Sequence, residues 1–419
     1  MGENDMSDLS DSLFGEAADG GEAKKKREGE WPHMQLSSAQ DFIGSDSGGD
    51  RVGLSGGSSG GGFEGLGEGR KGRLRFGADE LAVVMSHYDV GIIRAIQEFP
   101  RGSRKAPKAL IRTDSGLYLL KRRAHGKDDP FKVAFCHALQ LHLTEKQFPL
   151  PHLIGTRDEN NSMLQLGGRV YELFEYIKGS SYDGELETTS EGGKILGLYH
   201  RLTKDFKSEY EPAKGTYHDS VMVKKTFELI PQAINKVKGD HGIGRMKELE
   251  ELSDGLEEDY LSAGLKGKLL GMDDWPTQVV HSDWHPGNLL YRRGRVVAVI
   301  DYDAARIQQR VMDVANGALQ FSILGGGDHP ERWPAYLDES RLKRFVRGYE
   351  GVRDCVLSKA EVEVMPWLMI EALIAESAIP VAATGQFANM DGAAFLEMVG
   401  RKVDWLKENA ERLVGLLVE

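Results

Sequence analysis

The sequence is poor in what disulfide-stapled, membrane-spanning and nucleic-acid-binding proteins require. Only two cysteines, Cys136 and Cys355, occur in 419 residues. They are too few for a disulfide framework and stand at no metal-ligand spacing, so a reducing compartment, the cytoplasm, is expected. Long apolar runs are also missing. The longest, PWLMIEALIAESAIPVAA, is broken by Glu371 and Glu376, and the acidic, polar N-terminus holds no apolar signal core, so no membrane span is expected. Positive charge is in deficit: the formal net charge is −12, which argues against nucleic acid as the main partner. A neutral or cationic small molecule suits such a surface better. No internal repeat is visible either. What remains, 40% hydrophobic and 28% charged residues, is enough to bury a sizeable core in two lobes.

Three composition zones divide the chain. Residues 1–72 are crowded with Gly, Ser, Asp and Glu, as in GLSGGSSGGGFEGLGEG, and read as a disordered tail. Two apolar islands in it, SDSLFGE and MQLSSAQDFIG, are docking motifs or plain solvated linker. Residues 73–178 are strand-rich. ADELAVVMSHYDVG gives a short helix with Leu81, Val84 and Met85 on one face, and GIIRAIQEF and KALIRTDSGLYLLKRRA are strands, the second folded at DSG. DDPFKVAFCHALQLHLTEKQF is an amphipathic helix with Phe131, Phe135, Leu139 and Leu143 recurring every four residues, and LIGTRDENNSMLQLGGRVYELFEYIKG returns to strands. Residues 179–419 are mostly helical. The expected class is α+β, a small antiparallel β lobe followed by a larger, mainly α lobe.

The chemically loaded stretch, HSDWHPGNLLYRRGRVVAVIDYD (281–303), lies in the second lobe. Phosphoryl transfer from a nucleotide needs a carboxylate to orient and deprotonate the attacking hydroxyl, and oxygen ligands for Mg²⁺. Asp283 suits the first role. Asn288, five residues on in a loop turned by Pro286 and Gly287, offers an amide oxygen. A hairpin around Arg292-Arg293-Gly294 would return the chain so that Asp301 lies near Asn288. A rival reading takes His281, Asp283 and His285 as alternating metal ligands of a hydrolase, but no further cluster of ligand spacing supports it.

HSDWHPGN followed by VIDYDAA resembles the catalytic signature of the aminoglycoside phosphotransferase and choline kinase group, within the protein-kinase-like superfamily. The resemblance covers about residues 80–415 and implies a two-lobed protein-kinase-like fold. The implied activity is an ATP- and Mg²⁺-dependent phosphotransferase acting on the hydroxyl of a small molecule. It makes Asp283 the catalytic carboxylate, Asn288 and Asp301 the metal ligands, and Asp313 of QRVMDVAN a structural acid bracing the loop. His281 is then a structural histidine, and His285 stands where protein kinases carry a phosphate-facing lysine. Ser282 departs from the group, most members having Gly there.

In the small lobe, Lys121 on GLYLLKRRA matches the strand lysine that engages the nucleotide phosphates. EFPRGSRKAPK, with Gly102, Ser103 and Arg104 at its tip beside Arg101 and Lys105, resembles the loop that covers them. VYELFEYIKG resembles the hinge, placing backbone groups of Phe174, Glu175 and Tyr176 against adenine. LGLYHRLT resembles a helix carrying a structural histidine, His200. Trp284, Asp303, Arg306 and Trp367 are further residues expected near the pocket mouth, as packing or contacts. One partner is missing: kinases pair the strand lysine with a glutamate on the next helix, and here Cys136 and His137 occupy that place. The alternative implied by that gap is a weak or inactive nucleotide-binding or structural protein of the same fold. The acceptor is open, an amine-bearing alcohol fitting the acidic helical region.

Overall fold

A computed structural model describes residues 73–418 apart from 101 and 239–242. The expected tail over 1–72, its two islands and Arg101 lie outside the described residues.

The small lobe opens on helix α1 (Ala78–Met85), whose Val84 and Met85 are buried. Five antiparallel strands follow: β1 (Ile93–Glu98), β2 (Lys108–Thr113), β3 (Leu117–Arg122), β4 (Leu164–Leu166) and β5 (Arg169–Glu175), in the order β1-β2-β3-β5-β4. The β2–β3 hairpin turns where DSG predicts. There the Thr113 hydroxyl accepts from Ser115 N (3.0 Å) and Gly116 N (3.2 Å). Glu80 fastens α1 to the sheet by accepting from Arg122 Nη1 (2.5 Å) and the Tyr171 hydroxyl (2.7 Å).

Helix α2 (Pro130–Glu145) packs Phe135, Leu139 and Leu143 into the large-lobe core and Val133 against Val170 of the sheet, its start set by Asp129, which caps Phe131 N at 3.0 Å, with Pro130 at the first helical position. Phe135, Leu139 and Leu143 are buried, but Phe131 is 73% exposed. A four-residue step advances about 40° beyond one turn. Three such steps rotate Phe131 off the face that Leu143 occupies.

The large lobe comprises α3 (Leu186–Thr203), α4 (Val221–Phe227), α5 (Ile230–Lys238), α6 (Ile243–Leu269), α7 (Arg310–Ser322), α8 (Glu339–Glu350), α9 (Lys359–Thr384) and α10 (Gly392–Val418). Helices α3 and α8 approach so closely that a Cβ on Gly193 would strike the Phe345 carbonyl, and one on Gly348 the Ser190 carbonyl. Helix α9 is apolar and long enough to cross a membrane, yet 94% of its most apolar window is buried in the lobe. Its two mid-helix carboxylates, which interrupt the run in the sequence, both have polar partners: Glu371 accepts from Asp219 N (2.9 Å) and pairs with His218 Nδ1 (2.6 Å), and Glu376 accepts from Gln320 (2.6 Å).

Besides the short pair of Gln386–Phe387 with Met390–Asp391, two small antiparallel pairs interrupt the helices. One joins β6 (Thr277–Val280) to β9 (Arg306–Gln309), and the other joins β7 (Leu289–Arg292) to β8 (Arg295–Val299). They carry the loops 281–288 and 300–305 side by side, facing the β lobe.

Candidate active site

The 281–288 loop leaves β6 and enters β7. Ile300 N donates to Asn288 O (3.0 Å), tying the start of the second loop to the end of the first. Asn288 gives its amide N–H groups to the Asp283 carbonyl (3.0 Å) and to Asp283 Oδ2 (2.9 Å). Its Oδ1 is then the remaining acceptor of that side chain. Asp301 is exposed, and among the described residues its carboxylate has no hydrogen-bond or ion-pair partner. An amide oxygen beside an uncommitted carboxylate, with water and phosphate oxygens to complete the shell, is a donor set that suits Mg²⁺.

The loop is braced from behind. Asp313, buried near the start of α7, accepts from His281 N (2.7 Å) and Ser282 N (2.8 Å), and lies 3.2 Å from His200 Nε2. His200 in turn reaches the Tyr349 hydroxyl (3.0 Å). The His281 ring is wholly buried and packs against Tyr302, Trp284 and Tyr199, with centroids 5.1, 5.3 and 5.9 Å away. Burial lowers its pKa. Among the described residues no three His, Cys, Asp or Glu side chains gather as a metal site, so His281, Asp283 and His285 do not form the hydrolase arrangement.

His285 is also buried. Its Nδ1 accepts from Gly287 N (3.0 Å) and its Nε2 lies 3.6 Å from Asp283 Oδ1. Burial pushes its pKa down to about 3, so at neutral pH the ring is uncharged and faces the carboxylate, and it supplies no cation of the kind expected from its place in the motif. Ser282 adopts φ +61° and Asp301 φ +65°. The left-handed conformation at 282 is the physical reason for glycine at this place in the group, and Ser adopts it at some cost.

From the β lobe, Lys121 meets a partner that the helix-based expectation missed. Its Nζ lies 3.6 Å from Glu172 Oε2 and 3.3 Å from Asp303 Oδ2. Glu172 is on β5, directly opposite Lys121 in the strand register. Its other oxygen takes Arg123 Nη2 (2.8 Å) and lies 2.7 Å from His137 Nε2, while His137 Nδ1 lies 2.9 Å from Ser162 Oγ. Thus α2 contributes a histidine that holds the glutamate, and the strand contributes the glutamate itself. Arg123 also binds Asp303 Oδ1 (2.7 Å), so Asp303 links the two lobes.

Burial disfavours charge on every member of this cluster, but opposite charges outweigh it. Asp303 and Glu172 hold the Lys121 ammonium above its ordinary range, and Arg123 and Lys121 hold both carboxylates low, with His137 assisting at Glu172. Burial, then Asp303, pushes the neighbouring Cys136 thiol up to about 12.

The covering loop is clasped by Arg73, which donates to Gly102 O (3.0 Å) and Ser103 O (3.2 Å); Leu74 N reaches Arg104 O (2.9 Å). Gly102 has φ +79°, a turn conformation that favours glycine. At the hinge, two of the expected amides are already engaged: Glu175 N donates to His152 O and Tyr176 N to Leu117 O, each at 2.9 Å. Phe174 is bridged to Leu153. An adenine donor partner would therefore be sought after Tyr176, from Ile177 onward. Trp284 is fully buried and Arg306 nearly so, its guanidinium given to Gly215 O and Ala304 O. These are scaffold. Trp367 is partly buried under Lys266.

Residues 96–356 match the sequence profile of the phosphotransferase enzyme family. The chain belongs to that family. A homoserine kinase from Zymomonas mobilis is 26% identical over 243 residues, 57% of this chain and 68% of that protein. Among solved structures, an aminoglycoside phosphotransferase from Alicyclobacillus acidocaldarius superposes with a TM-score of 0.56 at 16% identity, covering 80% of this chain and 95% of that one. The amicoumacin kinase hAmiN, solved with AMP-PNP, Ca²⁺ and Ami, gives 0.55 at 11% identity over 78% and 93%. The kinase-like fold, the family and the expectation of a kinase for a small-molecule alcohol are borne out. For this phosphotransferase the helix glutamate is absent, as expected, and Lys121 finds its carboxylate in Glu172 of the strand.

Glu172 and Arg123 are the site residues that motif reasoning passed over. A charge flanked by Tyr171 and Leu173 in a strand was the available signal at 172. Which side chain it faces depends on a register between strands 47 or more residues apart, and no local pattern carries that.

Proposed function

We propose that the cleft between the lobes binds ATP with Mg²⁺ and that the phosphotransferase passes the γ-phosphoryl group to the hydroxyl of a small, amine-bearing acceptor. The observation that carries this reading is the Asp283 carboxylate, held by the Asn288 amide at 2.9 Å on a loop that faces the ion cluster around Lys121. The acceptor oxygen attacks the γ-phosphorus, the bond to the bridging oxygen breaks, and ADP leaves with the electron pair. The hydroxyl proton passes to Asp283, which Asn288 orients. Lys121 engages the phosphates, Gly102, Ser103 and Arg104 cover them, and the hinge after Tyr176 holds adenine. Asn288 and Asp301 would hold Mg²⁺, which when bound neutralises phosphate charge. His281 and Asp313 keep the loop in shape, and Asp303 holds the lobes together.

The homoserine kinase relatives support an amino-acid alcohol as the first acceptor class to test, ahead of aminoglycosides and choline. Two free, buried thiols fit a reducing, cytoplasmic setting. The experiment is ADP release from Mg·ATP across a panel of amino alcohols, hydroxy amino acids and amino sugars, with Asp283→Asn as control. Turnover by the wild type with one acceptor, lost in the variant while Mg·ATP binding persists, is the expected result. Equal turnover by both proteins would refute the assignment of Asp283.

A further inference from the structure

Lys108, at the start of β2, has no role in the reading above. It sits directly opposite Lys121 in the β2–β3 register. Like charges facing each other across an antiparallel pair are destabilising, and here the pair is kept in the small lobe next to the covering loop. The Lys108 ammonium tucks under that loop's tip, 2.9 Å from where a Cβ on Gly102 would lie. Among the described residues it has neither an ion-pair nor a hydrogen-bond partner. Compare Lys402, a buried lysine with a plainly structural task, which gives its protons to Leu324 O (3.1 Å) and Pro334 O (2.5 Å).

The surroundings of Lys108 are those of a cation waiting for an anion. Burial, then the charge of Lys121, lowers its pKa, against the more distant pull of Asp301, Asp303 and Glu172. Those three carboxylates belong to the same cleft, and all the cation's strong neighbours are site residues. A dianionic or more highly charged group between the two ammonium ions would relieve their repulsion and supply the missing partner. The covering loop has a single glycine at its tip and no glycine-rich repeat.

We infer that Lys108 is a second phosphate-binding cation, which grips the terminal phosphates of the nucleotide from beneath the Gly102 loop while Lys121 holds them from β3. This rests on the proposed nucleotide site and names a residue in it. The ligand chemistry is a nucleoside polyphosphate, and Lys108 contributes in proportion to the number of phosphates, with nothing for the base.

The test is calorimetric titration of the full chain with ATP, ADP, AMP and adenosine, in Mg²⁺, for wild type, Lys108→Ala, Lys108→Arg and Lys121→Ala. Lys108→Ala should weaken ATP binding by about ten-fold or more, as expected for loss of a charge-assisted bond, with a smaller loss for ADP and none for adenosine. Lys108→Arg should recover most of the loss. Unchanged adenosine affinity also shows that the variant is folded. If Lys108→Ala binds ATP as the wild type does while Lys121→Ala does not, Lys108 is no phosphate ligand and the nucleotide site stands without it. An equal loss for ATP and adenosine assigns Lys108 to packing and overturns the inference. Should the wild type bind none of the four ligands, the nucleotide reading itself falls and this inference with it.

Discussion

Three residues show how single side chains report on the site. Asp283 is held by the Asn288 amide at 2.9 Å, so Asp283→Asn should keep the loop and lose the proton acceptor. Single-turnover measurements should show transfer slowed about 100- to 10,000-fold with nucleotide affinity unchanged. Ser282 occupies φ +61°, so Ser282→Gly should retain activity. Ser282→Val, β-branched in a left-handed conformation, should cost about 1–3 kcal/mol in urea denaturation. Glu376 is buried between Asn316 and Gln320, and burial raises its pKa to about 8. The amide oxygens of both neighbours lack partners, and a protonated Glu376 can satisfy one of them by donating its single O–H. The folded carboxyl therefore holds its proton above the ordinary carboxylate range. Between about pH 4.3 and pH 8 the folded chain binds more protons than the unfolded one, so stability falls as pH rises, by up to ~1.4 kcal/mol per pH unit. Glu376→Gln should flatten that slope and be the more stable protein at pH 7.5, as followed by denaturation at several pH values.

At the scale of elements, the exchange between α2 and β5 is the main departure from the expected kinase arrangement. The carboxylate that faces Lys121 is carried by a strand, and the helix supplies His137 to hold it. His137→Ala would leave Glu172 with Arg123 and Lys121 but without its helix partner. An expected loss of about 1–3 kcal/mol in stability should come with a several-fold weaker apparent affinity for ATP, and His137→Gln, which restores a donor, should recover part of both. A loss of stability with unaltered nucleotide kinetics would reduce His137 to packing. The helix itself was readable: Asp129 and Pro130 mark its start, and Phe135, Leu139 and Leu143 its buried face. Its first aromatic, Phe131, was placed on that face only because a four-residue repeat conceals the drift of a 3.6-residue helix.

Across the whole molecule, Asp303 is one of the residues through which the lobes meet, binding Lys121 and Arg123 at 3.3 and 2.7 Å. Replacing it with Asn removes the charge that both cations need. Asp303→Asn should lower the melting temperature and raise amide exchange in β3, with a cost nearer 1–2 than 5 kcal/mol because the Asp303 side chain is partly exposed. A nucleotide polyphosphate should restore part of the loss by taking over the cations. Local order made the catalytic loop legible: Asp283, Asn288 and Asp301 stand at short, fixed separations, and the proline-glycine turn and the hairpin that join them are encoded within 23 consecutive positions. The two-lobe division and the kinase-like fold were legible for the same reason, since strand and helix periodicities are local. The partners of Lys121 were not. Glu172 and Asp303 reach it through strand register and lobe closure, and these are set by packing among residues far apart in the chain. By itself the sequence determined which residues are candidates for moving a phosphoryl group and in what order they lie. Only the tertiary structure decided which charges face one another across the cleft, because Coulomb interactions depend on distances in space that no spacing along the chain specifies.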